Sequence, residues 1–250
     1  MDIRVENLEP GCFYHIYNRG INSCKVFLND DNRLFFLKKF KEYLVPYAEI
    51  YAYCLMPTHF HFVIRVKEPE ETLKTLPKLD DTQKTFAKLY GEKTQAKLEE
   101  ELPKFETLPK LDDTQKTLAK LDHEPTNKTF IKSDNGLHAD KSIVSKQFAK
   151  LISSYTQAFN KYHHRHGSLF ERPFKRRKID SEEYLRQSII YVHRNVLDLN
   201  LKLDAYDFCS YKSITSNKPT AAIRDEVIEL FSDLDNFVLV HKKDGDYSVD

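Results

Sequence analysis

The run from Cys54 to Val66 constrains the fold more than any other part of the chain. From His59 onward, bulky apolar residues alternate with other types: Phe60, Phe62 and Ile64 on one side, His59 and His61 on the other. Successive side chains of a strand point to opposite faces, so this is a strand with one face for burial and a second carrying two imidazoles one pleat apart. Neutral histidine is a common nitrogen ligand for metal ions, and one cation can bridge such a pair. A half-exposed pair with no metal explains the spacing equally well. A third element has to decide between them.

The candidate third element is the segment from Asp180 to Leu199. Asp180 with Glu183 three residues later reads as a capping box that opens a helix. At about 100° per residue, Leu185, Ile189, Val192, Val196 and Leu199 form one apolar stripe. Tyr184, Ser188, Tyr191 and Asn195 form a second stripe along its flank, with Tyr191 and Asn195 one turn apart. His193 leaves the helix on the other side of the apolar stripe. Alone, a tyrosine and an amide on a helix flank are compatible with a structural role.

The remaining periodicities complete an outline. Residues 12–18 read as a strand. Asp31 to Tyr47 has helical spacing through Leu34, Phe35, Leu37, Phe40 and Leu44. Residues 48–56 and 59–67 read as a hairpin, 142–163 as a helix, 172–179 as a basic strand and 181–199 as the tyrosine helix. This βαββαβα order predicts an α+β fold, an antiparallel sheet with helices packed on one face. Ala221 to Phe237 has helical spacing and is expected to pack onto the core as a helical C-terminal extension.

Between the histidine strand and the next core helix lies a charged insert. Its segment Thr75–Thr85 recurs unchanged at Thr107–Thr117. Two copies are too few for a solenoid. The insert reads either as short amphipathic helices over the body or as a charged surface insertion, which a loop tolerates well. It carries no assigned chemistry. The four cysteines, Cys12, Cys24, Cys54 and Cys209, are far apart in sequence and lack Cys-x-x-Cys spacing, which argues against a zinc cluster or redox pair. No apolar leader and no long apolar span is present, so a cytoplasmic, reduced protein without a membrane partner is expected.

Global charge does not announce a polyanionic partner, because 39 basic side chains face 38 acidic ones. The distribution is uneven, however. Lys161, Arg165, Arg172, Lys175, Arg176, Arg177 and Lys178 fall in one stretch, interleaved with Phe170 and Phe174. Basic groups for phosphates with aromatic faces for unstacked bases describe a single-strand groove. A solvated basic loop has the same composition. Arg19, after the first strand, is a second candidate phosphate contact.

Four segments in order carry a family resemblance: Phe13–Gly20, Leu55–His61, Gly167–Lys175 and Tyr191–Asn195. The chain resembles single-tyrosine transposases of the insertion-sequence type, whose histidine-hydrophobic-histidine (HUH) motif names a wider nuclease class, and within them the REP-associated tyrosine transposases. The resemblance covers most of residues 10–67 and 142–240. It implies a ferredoxin-like, RRM-like HUH core over 1–69 and 140–204, interrupted by the insert at 70–139 and followed by the extension at 205–250. It further implies Tyr191 as nucleophile and His59 and His61 as ligands of a divalent cation, Mg²⁺ or Mn²⁺. Asn195 would complete that site, where related enzymes commonly carry Gln. Thr58 stands where such proteins often have Asn.

Mn²⁺ suits a mixed nitrogen and oxygen site better than Mg²⁺, which prefers oxygen. A free tyrosine titrates near pH ~10, and a nearby cation favours its phenolate. Attack on a phosphodiester would store the bond energy as phosphotyrosine, so rejoining needs no ATP. The resemblance points to single-stranded DNA with hairpin structure as partner, attachment to the 5′ phosphate, and either a monomer or a homodimer. Two rival readings are a rolling-circle replication or relaxase enzyme with the same chemistry, and a non-catalytic binder of DNA or RNA hairpins. Tyr155 is the competing nucleophile, although it shares a helical stripe with Phe148, Ile152, Phe159 and Tyr162.

Overall fold

The structure, a computed structural model, describes residues 7–75, 142–218 and 220–243. Four strands, β1 (Phe13–Arg19), β2 (Ala48–Leu55), β3 (His59–Val66) and β4 (Lys175–Ile179), form one sheet in the order β2-β3-β1-β4. Every neighbouring pair is antiparallel. Helix α1 (Asp30–Tyr43) connects β1 to β2, α2 (Pro69–Thr75) follows β3, and α3 (Ile143–Tyr162) precedes β4. This is the ferredoxin-like βαββαβ arrangement with β1 and β3 central. Apart from 70–75 in α2, the insert expected at 70–139 lies outside the described residues, and so do its repeats but for Thr75.

The sheet splits the side chains as the alternation requires. Tyr14, Ile16, Phe60, Phe62 and Ile64 bury one face against Phe36 and Phe40 of α1 and Phe148 and Tyr155 of α3. Phe40 stacks on Phe62 with ring centroids 4.1 Å apart. Each fully buried phenyl contributes roughly 1.5–3 kcal/mol of transfer free energy, and this aromatic cluster holds both helices to the sheet. The helices start where a side chain meets the first free N–H groups: Asn29 accepts from Asn32 N at α1, and Ser142 from Ser145 N at α3.

The second face departs from the expectation of helices on one side only. Helix α4 (Glu182–Arg194) crosses it, followed by 3₁₀ turns at Asn195–Leu199 and Leu203–Ala205 and helices α5 (Ser210–Thr215), α6 (Arg224–Glu229) and α7 (Leu234–Lys242). Together they bury Tyr51, Ala52, Cys54 and Val63 with Leu185, Ile189, Val192, Val196, Val227 and Phe237. The physical reason lies in β2 and β3, which carry apolar residues on both faces and so need two covers. The single helix expected over 221–237 is two helices, because Asp233 accepts from Asn236 N and opens α7 afresh. A second correction concerns the start of α4. Its cap is Ser181, accepting from Tyr184 N, and not Asp180. No helix among the described residues is long and apolar enough to cross a membrane.

Candidate active site on the second face of the sheet

Strand register assembles the site. Tyr17 of β1 lies opposite His61 of β3, Arg19 opposite His59, and His15 opposite Val63. On the other edge of β1, Tyr17 pairs with Lys175 and His15 with Arg177. Because the period is two, His15, Tyr17, Arg19, His59, His61, Lys175 and Arg177 share the face that α4 covers. Gly20 ends the strand where a Cβ would sit 2.2 Å from the Cys24 carbonyl oxygen, so only glycine allows the chain to turn directly after Arg19.

Tyr191, on α4, meets this face edge-on. Its ring centroid is 5.5 Å from that of His61 and 5.7 Å from that of His15, at 85° and 78°. Asn195, buried at the end of the same helix, donates from Nδ2 to the Tyr191 carbonyl (2.9 Å). Its side chain also hydrogen-bonds His59. His59 Nδ1 lies 2.9 Å from Thr58 Oγ1. Thus β3 and α4, separated by more than a hundred residues of chain, bring His59, His61, Tyr191 and Asn195 together.

The electrostatics favour neutral imidazoles. Burial lowers the pKa of His59, partly opposed by the Asn195 hydrogen bond, and Arg19 lowers it further. Burial holds His61 well below the ordinary histidine range, reinforced by His15, His59 and Arg19. His15 is pushed down to about 3 by burial and then by Arg177. At neutral pH these rings keep lone pairs available, which a metal ligand requires. Among the described residues no three His, Cys, Asp or Glu side chains form a group that could hold a metal ion. The third donor of a cation site at His59 and His61 therefore has to be of another type. An amide oxygen such as that of Asn195 would be of another type, and two imidazoles with one oxygen would make a set that Mn²⁺ accepts.

The basic residues divide between the two faces. Arg19, Lys175 and Arg177 stand exposed on the site's face, Lys175 Nζ lying 5.8 Å from the centre of the Tyr17 ring. Arg176 and Lys178 point to the opposite face, because they pair with Ile16 and Tyr14. There Arg176 hydrogen-bonds Ser145 and lies over Phe174, while Lys178 pairs with Glu9 at 2.5 Å. Arg172 is exposed in the turn before β4.

Tyr155 is far from this chemistry. It is 1% exposed in the aromatic core on the other face and donates to the Val26 carbonyl at 2.6 Å. His193 is likewise apart, between Ser210 Oγ (2.7 Å) and His241 Nε2 (2.8 Å) beneath the C-terminal helices. The residue that the sequence reading missed is His15, whose Nε2 lies 2.9 Å from His61 Nδ1. The alternation Phe13-His15-Tyr17-Arg19 was a usable signal, but only the register shows which histidine it meets. Cys54 and Cys209, both free thiols, also adjoin, through an isolated antiparallel backbone bridge between β2 and the C-terminal segment.

No protein-family model and no curated protein matches this chain. A solved structure described as "Structure of the REP associates tyrosine transposase bound to a REP hairpin" is similar at 11% identity and a TM-score of 0.46, over 88% of this chain and 89% of that one. A likeness of that size establishes no activity. The functional reading has to stand on the site.

Proposed function

We propose that the protein cleaves and rejoins single-stranded DNA at or near hairpins, with Tyr191 as nucleophile and a divalent cation held by His59, His61 and Asn195. One observation carries the reading: the Tyr191 ring abuts His61 at 5.5 Å while Asn195, one turn further on the same helix, reaches His59. This proximity supports a phenol and a mixed nitrogen and oxygen donor set serving one cation. Such a cation would polarise a phosphoryl oxygen and favour the phenolate.

In the step itself the Tyr191 oxygen bonds to phosphorus and the bond from phosphorus to the 3′ oxygen breaks. The phenol proton passes to solvent, and the leaving 3′ oxygen takes up a proton. The phosphotyrosine that results is reversed by attack of a 3′ hydroxyl. Arg19, Lys175 and Arg177 on the same face supply positive charge for the backbone on either side of the scissile phosphate. Tyr17, half-buried beside Lys175, offers a ring edge to a nearby base. The hairpin preference and the 5′ polarity rest on the sequence resemblance.

The test is a pool of labelled single-stranded hairpin oligonucleotides incubated with Mn²⁺, Mg²⁺ or EDTA and resolved under denaturing conditions. Label should migrate with the wild-type protein only when metal is present, and never with Tyr191→Phe. Retention of hairpins on a native gel without any covalent product would replace this reading with binding alone.

A further inference from the structure

His15 has no part in the chemistry proposed above, yet it is more deeply buried than either candidate ligand. It is 1% exposed, and its Nε2 is 2.9 Å from His61 Nδ1. The two rings are nearly parallel, at 18° and 5.1 Å, and Tyr17 stacks on His15 at 4.9 Å. The edge of Tyr191 closes the cluster. A contact of this length between two imidazoles is a hydrogen bond, so one ring donates and the other, which accepts, is neutral.

The direction of that bond decides whether His61 is a ligand. If His15 donated, His61 would carry its proton on Nε2 and offer the cation nothing. If His61 donates from Nδ1, its Nε2 keeps a lone pair. His59 Nδ1 lies 2.9 Å from Thr58 Oγ1, a hydroxyl that can either donate or accept. A third-ligand role for His15 is disfavoured, since no three such side chains among the described residues converge on a metal position. We propose that His15 is a positioning residue: its Nε2 accepts from His61 Nδ1–H and fixes His61 in the tautomer whose Nε2 faces the cation. This rests on the metal reading of the preceding subsection.

The test uses the full chain, labelled with ¹⁵N-histidine, as wild type, His15→Phe and His15→Gln. Phe keeps a stacked ring without an acceptor, whereas Gln restores an acceptor oxygen. Nitrogen shifts of the metal-free protein should show His61 protonated on Nδ1 in wild type and His15→Gln, and a tautomer mixture in His15→Phe. Mn²⁺ titration followed by electron paramagnetic resonance should weaken about 10- to 100-fold in His15→Phe, with most of the loss recovered in His15→Gln. A wild-type His61 bare at Nδ1, an unchanged Mn²⁺ affinity in His15→Phe, or a Mn²⁺ spectrum with three coupled imidazoles would overturn the proposal. A wild type that binds no Mn²⁺ would instead sink the metal reading, and the tautomer measurement would still decide the role of His15.

Discussion

Acidification should destabilise this protein well before its carboxylates titrate. Burial holds His15 at about 3 and His241 at about 4, and keeps His61 and His193 well below the ordinary value of 6.5. A histidine whose folded pKa is depressed binds its proton more readily when unfolded. Stability is therefore intact above pH ~6.5 and falls as pH drops towards the folded pKa, by about 1.4 kcal/mol per pH unit for each ring. At pH 5 His15 and His241 alone each account for about 2 kcal/mol. Their sum of about 4 kcal/mol is a large share of the 5–15 kcal/mol typical of a domain. Urea denaturation at pH 7, 6 and 5 measures this directly, because the window lies above the carboxylate range. The slope between pH 6.5 and 5 should be about 2 kcal/mol per unit or steeper, and His241→Gln should remove about 1 kcal/mol per unit of it. A stability at pH 5 within about 1 kcal/mol of that at pH 7 would refute the claim that these rings are held neutral by burial.

Other outcomes follow from the site. His59→Ala should abolish metal-dependent adduct formation with little loss of melting temperature, and His61→Ala should abolish it too but with a measurable loss, because it strands the buried His15. Asn195→Ala should weaken metal use while the fold persists, whereas His193→Ala should mainly destabilise, because it strands Ser210 and His241 in the interior; the opposite ranking would remove Asn195 from the site. Arg177→Gln should weaken single-strand binding and lower its salt slope by about 0.7, and Arg176→Gln should leave that slope unchanged, as read by binding titrations at several salt concentrations. Tyr155→Phe should cost roughly 1 kcal/mol in denaturation, through the unpaired Val26 carbonyl, and should leave adduct formation at the wild-type level.

Much of the framework was legible because it depends on local periodicity. The period-two run at His59 to Ile64 and the helical spacing of Leu185, Ile189 and Val192 each have one geometric solution, and β3 and α4 adopt it, although the α-helix stops at Arg194 and Val196 falls in the 3₁₀ turn that follows. The stripe carrying Tyr191 and Asn195 is likewise where the sequence put it. What escaped depends on partners distant in sequence. Whether His15 meets His61 or solvent is set by the pairing of β1 with β3. The separation of Arg176 and Lys178 from Arg177 follows from β4 being a strand, where adjacent charges point opposite ways and cannot act as one patch. The second helical layer was missed for a related reason. An apolar run such as that of β2 shows that burial is needed, but not how many elements supply it.

The His241–His193–Ser210 chain has a consequence for anyone choosing where this protein can be cut. Arg194 Nη1 donates to the carbonyls of His241 and Lys243, and His193 joins His241 and Ser210, so the last turn of α4 is tied to the start of α5 and to the end of α7. A fragment ending at residue 204 would leave Ile189, Val192 and Cys54 facing water where Val227, Phe231 and Phe237 now lie. It would be a sticky, half-covered sheet and not a smaller working unit. Any ligand that lifted the C-terminal helices would, by the same ties, loosen the helix that holds Tyr191.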